Sequence, residues 1–89
     1  MFYVYLLCSI NSDDIYIGFT TNLERRLSEH NAGKNVSTKK HQWRMAYYEA
    51  YASESDARDR ETKLKQYGKS LAMLKKRLSE SLKNLKGAG

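Results

Sequence analysis

The first twenty residues constrain the fold most. Phe2 to Ile10 is rich in aromatic and β-branched side chains and reads as a strand. Asn11-Ser12-Asp13-Asp14 follows, a cluster whose side chains bond their own backbone in turns. Ile15-Tyr16-Ile17 then reads as a short second strand ended by Gly18. Two strands joined by so short a turn pair antiparallel, so the chain opens with a hairpin on which later elements must pack.

Thr21-Asn22-Leu23-Glu24 has the form of a capping box and predicts a helix, with Leu23 and Leu27 as its apolar stripe. Gly33 is placed to close it in the left-handed conformation. Lys34 to Gln42 has no periodicity and reads as a basic loop containing His41. Trp43 to Ala52 reads as a third strand. Ser53-Glu54-Ser55-Asp56 opens a charged helix running to about Tyr67, with acid-first pairs Glu54/Arg58, Asp56/Arg60, Asp59/Lys63 and Glu61/Lys65. Leu71, Leu74, Leu78, Leu82 and Leu85 give one final amphipathic helix. The expectation is an α/β (α+β) domain of order ββαβαα, built on a small antiparallel sheet. One domain spans 1–86, with a frayed end at 87–89.

The chain has 89 residues, enough for a single domain whose core is thin. Its one cysteine, Cys8, excludes an internal disulfide and fits a reducing compartment. No apolar run approaches the ~20 residues of a membrane span, and the start does not read as a signal peptide. Cytoplasm is the expected location. Sixteen Lys and Arg stand against ten Asp and Glu, for a net charge of +6. The excess gathers in two blocks, Arg25, Arg26, Lys34, Lys39, Lys40 and Arg44, and then Lys69, Lys75, Lys76, Arg77, Lys83 and Lys86. Such blocks suit a polyanion partner, though a basic balance also serves solubility alone.

Three groups of residues could carry chemistry. Arg26 and His30, four apart, share a helix face near the edge of the leucine stripe. Arg26 could clamp a phosphate with its planar fork, whereas the plainer account is a solvated Arg and a His at the helix C-terminus. Taken alone, the plainer account is the better one. Glu61 falls with Ala57 and Leu64 on the inward stripe of its helix, where a carboxylate needs a cation or several donors. Mg²⁺ would meet it; so would Arg26 or Lys65. No second inward acid is evident, which points to one metal and not two. Tyr3 and Tyr5 share one strand face and Tyr16 lies on the next strand, phenols that could orient a water or simply pack. No phosphate-binding Gly loop, zinc spacing or Ser/His/Asp set competes.

Together these residues resemble the GIY-YIG nuclease family. Tyr3-Val4-Tyr5 stands where the family has Gly-Ile-Tyr, and Tyr16-Ile17-Gly18 is intact. Arg26 comes ten residues after Tyr16, within the run Asn22 to Asn31 that is similar to the family's catalytic helix. Glu61, four residues after Ala57, matches the metal-binding Glu. The likeness covers about residues 2–67, and its joint spacing is what makes it specific. Two features depart from the pattern: Tyr3 replaces the first Gly, and no Asn follows the Glu helix at a suitable place.

The resemblance implies a three-stranded antiparallel sheet flanked by helices, and a Mg²⁺- or Mn²⁺-dependent endonuclease. Glu61 would hold one cation, Arg26 would stabilise the scissile phosphate, Tyr5 and Tyr16 would position or activate the water, and His30 would assist proton transfer. Within the family the chain looks most like compact bacterial members and structure-specific endonucleases. The expected substrate is DNA more than RNA, branched or single-stranded, contacted by Arg25, Lys34, Lys39, Lys40, Arg44, Lys65 and Lys69. Two other readings stay open. One is a binding module on this scaffold that has lost catalysis; the other is a protein partner or second copy docked on the last leucine-striped helix.

Overall fold

The computed structural model describes residues 1–33, 42–66 and 68–87. Strands β1 (Phe2–Ser9) and β2 (Ile15–Thr20) form the expected hairpin, and β3 (Trp43–Tyr51) joins β1 on its other side. The sheet order is β2-β1-β3, antiparallel throughout, so β1 is central and both its neighbours are edges. This explains why β1 reads as a near-continuous apolar run: Val4 to Ser9 are all buried. Strand β2 does not stop at Gly18 but continues through it to Thr20, because Gly18 pairs with Tyr5 in register.

Side chains alternate across the sheet. Val4, Leu6 and Ile17 point to one face and join Ala57, Leu64, Leu74 and Leu78 in the main core. Tyr5, Leu7 and Trp43 point to the other, where Tyr16, Leu23, Leu27 and Met45 pack on them. A bulge between Leu6 and Leu7 shifts the β3 register.

Helix α1 (Leu23–Asn31) covers part of this second face. Its cap is Asn22 and not Thr21: the Asn22 carboxamide accepts from the Arg25 N–H at 3.0 Å, while the Thr20 hydroxyl accepts from the Asn22 N–H. Gly33, at φ 76°, closes the helix as expected. Helix α2 (Glu54–Gln66) lies against all three strands, and its first turn is held by Ser53. Three of its four expected ion pairs form; Arg60 turns instead to Glu49 on β3.

The final leucine stripe is two helices, α3 (Gly68–Arg77) and α4 (Ser79–Gly87), giving the order ββαβααα. At the break the Leu78 N–H is shared between the carbonyls of Leu74 and Lys75, the tightening common at helix ends. Leu74 and Leu78 are buried, and Leu71 and Leu82 pack on the same core. The stripe expected to offer a docking face is thus occupied by the chain's own sheet, since so thin a core needs those side chains. Lys86 anchors α4 to the hairpin turn through Asp13 at 3.0 Å. Among the described residues no helix is long and apolar enough to cross a membrane.

Candidate active site

Tyr5 is the centre of the site. It stands on the central strand, 1% exposed, and its ring lies across Gly18 on β2. A Cβ at Gly18 would overlap the Tyr5 hydroxyl and ring, so the glycine is required by close approach and not by an unusual φ. Helix α1 brings two further groups to that hydroxyl. Arg26 Nε donates to it at 3.3 Å and His30 Nε2 lies 2.9 Å away. Arg26 also hydrogen-bonds Tyr16, whose ring meets the His30 ring edge-on at 4.6 Å between centroids.

The protonation states follow from this packing. Burial pushes the Tyr5 phenol up to about 12, against the opposing pull of the Arg26 bond, so its proton stays on at neutral pH. Burial, then the Arg26 charge, lowers the His30 pKa below its ordinary 6.5 and keeps the imidazole neutral. Arg26 can only donate. The Tyr5 oxygen therefore accepts from Arg26, and the imidazole tautomer sets which way the proton lies in its bond with His30 Nε2. The Tyr5 hydrogen bond, aided by Glu29 at 3.1 Å, holds the Arg26 pKa above its usual value. The Arg26 side chain nonetheless keeps 32% exposure, enough for its fork to meet a phosphate.

Tyr5, Tyr16, Arg26 and His30 are thus in mutual contact. Glu61 comes from α2, with only 15% of its side chain exposed, and its charge acts on the Tyr5 phenol. Its carboxylate is shared by Lys65 at 2.9 Å and Arg58 at 3.7 Å; Arg26 goes to Glu29. A single carboxylate is the protein donor that one Mg²⁺ or Mn²⁺ uses with waters and a substrate phosphate, and a metal here would take the place of Lys65 and Arg58. No group of three or more His, Cys, Asp or Glu suited to an all-protein metal cage exists among the described residues.

Sequence reasoning missed three residues. Glu29 was legible in principle, three residues after Arg26 on the same helix face. Asn31 was not: its side chain donates to the Trp43 carbonyl at 3.0 Å and accepts from the Trp43 N–H at 2.7 Å, which ties the last turn of α1 to β3. Glu49 corrects the expectation of no second inward acid. It points from β3 into the α2 face with 15% of its side chain exposed. Arg60 Nε reaches its two oxygens at 3.0 and 3.1 Å, and the Tyr47 and Tyr51 hydroxyls donate to it. Burial raises its pKa, but these donors outweigh burial and hold it below 4.5. With both oxygens taken, Glu49 is a structural pair.

Of the expected phosphate contacts, Arg25 is exposed on α1, Arg44 half-buried at the start of β3, and Lys69 exposed on α3. Lys65 is engaged by Glu61. Lys34, Lys39, Lys40 and His41 lie outside the described residues.

One sheet face thus brings phenols from β1 and β2 together with a guanidinium and an imidazole from α1. The sequence model of the GIY-YIG catalytic domain matches residues 1–77, and the chain belongs to that family. A UPF0213 protein of Staphylococcus haemolyticus is 39% identical over 70 residues, covering 75% of this chain and 83% of its own. One from Haloquadratum walsbyi is 35% identical over 68 residues, 73% and 74% of the two chains. One from Natronomonas pharaonis is 37% identical over 65 residues, 71% and 75%. Those names state no activity. No solved structure matches the chain.

Proposed function

We propose that this protein is a divalent-metal-dependent endonuclease that hydrolyses phosphodiester bonds in DNA. The observation that carries the reading is the chain Arg26–Tyr5–His30, a fixed cation, a phenol and a neutral imidazole in hydrogen-bond series. Phosphoryl transfer asks mainly for positioning and charge neutralisation, and this constellation supplies both. Arg26 would take the scissile phosphate on its exposed edge. Tyr16, half-buried beside His30, would help place the attacking water. With His30 Nε2 as acceptor, the attacking water would give its proton to the Tyr5 oxygen while the Tyr5 proton passes to His30 Nε2; the P–O bond opposite the water breaks and its oxygen takes a proton from solvent. Glu61 would hold one Mg²⁺ or Mn²⁺, which when bound supplies positive charge to the phosphate oxygens.

One observation favours the alternative, a binding module without useful catalysis: Glu61 is already bridged by Arg58 and Lys65. A labelled panel of single-stranded, duplex, flap and four-way DNA, with Mg²⁺, Mn²⁺ or EDTA, separates the two. Cutting should require metal. Glu61→Gln should abolish it with DNA affinity within about twofold, and Arg26→Ala should lower the rate about 100- to 1,000-fold. Salt-sensitive binding without cutting by any form would establish the binding module instead.

A further inference from the structure

We infer that Tyr48, braced by Tyr3, is a stacking platform for one unpaired nucleobase beside the candidate active site. The inference rests on the nuclease reading and names the substrate class for it. Tyr48 pairs with Tyr5 across β3 and β1, so both residues stand on the same sheet face, with the Tyr5 ring leaning the other way over Gly18. Helix α1 roofs one part of that face, over Leu7, Tyr16, Trp43 and Met45. Tyr48 is 54% exposed, and Tyr3 meets its ring edge-on at 5.9 Å and 72°.

That contact matters. An isolated exposed aromatic is ordinary, but a ring in edge-to-face contact with a second ring has part of its position set before any ligand arrives. Stacking suits every base, because each has a π-face. Charge selects the same ligand: the chain carries +6, and Arg26, bonded to the Tyr5 hydroxyl, serves the same sheet face from its β2 side. A strand that crosses this face with one phosphate on Arg26 would lay a base on Tyr48. A base stacked within a duplex has no free face to lay on a protein ring, so the platform favours single strands, flaps or extruded nucleotides.

The test needs no catalysis. In EDTA, a short single-stranded oligonucleotide carrying 2-aminopurine is titrated with wild type, Tyr48→Ala, Tyr48→Leu, Tyr48→Phe and Tyr48→Trp, beside the same sequence as duplex. Wild type should quench the probe and prefer the single strand. Ala and Leu should weaken binding about 5- to 100-fold and lose the quenching, while Phe and Trp retain both. Leu keeps an apolar side chain without a π-face, and thermal unfolding of each variant separates lost stacking from a folding defect. Unchanged affinity in Tyr48→Ala, or equal binding of duplex, overturns the platform and leaves the nuclease reading standing. Failure to bind any nucleic acid overturns both. A wild-type dimer in sedimentation that Tyr48→Ala dissociates would assign the face to a second copy and overturn the inference.

Discussion

At the residue scale the site depends on one missing Cβ. The Tyr5 ring occupies the space a side chain at residue 18 would fill, and a buried ring has nowhere to retreat. Gly18→Ala should therefore cost about 1–3 kcal/mol in denaturant unfolding, the range for overpacking. Because the displaced atom is the hydroxyl that Arg26 and His30 share, any cleavage rate should fall at least about tenfold. His30 makes a prediction about pH. Its folded pKa lies below the 6.5 of the unfolded chain, so between those values the unfolded state binds more protons. Its contribution to stability is thus present above pH 6.5 and lost as pH falls below it. Unfolding free energy measured downward from pH 7 should decline in wild type and decline less in His30→Gln. Equal slopes would show that the imidazole is not held neutral.

At the element scale, α1 is fastened at both ends by asparagines. Asn22 caps its start, and Asn31 ties its end to the Trp43 peptide. Removing the second tie leaves a partly buried N–H and C=O without that partner. Asn31→Ala should cost about 1–3 kcal/mol and slow cleavage by loosening His30. Asn31→Asp, which keeps only the acceptor, should fall between. Stability unchanged in Asn31→Ala would mean that α1 is placed by its leucines alone. The surface ion pairs along α2 carry little by comparison, being exposed and solvent-screened.

At the scale of the whole molecule, two apolar clusters on opposite sheet faces do different work. The α2–α3–α4 face holds the main core, and the other face trades packing for phenols, a guanidinium and an imidazole. Stability should therefore reside mostly in the first. Leu74→Ala, at a position 3% exposed, should cost about 2–5 kcal/mol. Its effect on cleavage below the melting transition should be small, because α3 adds none of the residues proposed to act on the scissile phosphate. A large fall in rate in the folded variant would show that the two faces are coupled.

Local signals in the chain were enough for the elements from β1 to α2 and their order, though they ran α3 and α4 together as one helix; they also placed Arg26 and His30 on α1 and Glu61 on α2, and gave the joint motif that marks the family. Those signals are local or periodic: β-branched and aromatic runs, leucine spacing, glycine punctuation. They also marked Gly18 as the end of a strand, when its meaning is a contact with Tyr5 one strand away. Contacts of that kind belong to the tertiary structure. Only the fold paired Arg60 with Glu49 instead of Asp56, joined Asn31 to Trp43, and turned the leucine stripe inward to complete a thin core. Only the fold, too, set Tyr48 opposite Tyr5. The reason is physical: propensity and periodicity act over a few residues, whereas which distant side chains share a face depends on strand register. That register is set by what the whole sheet must bury.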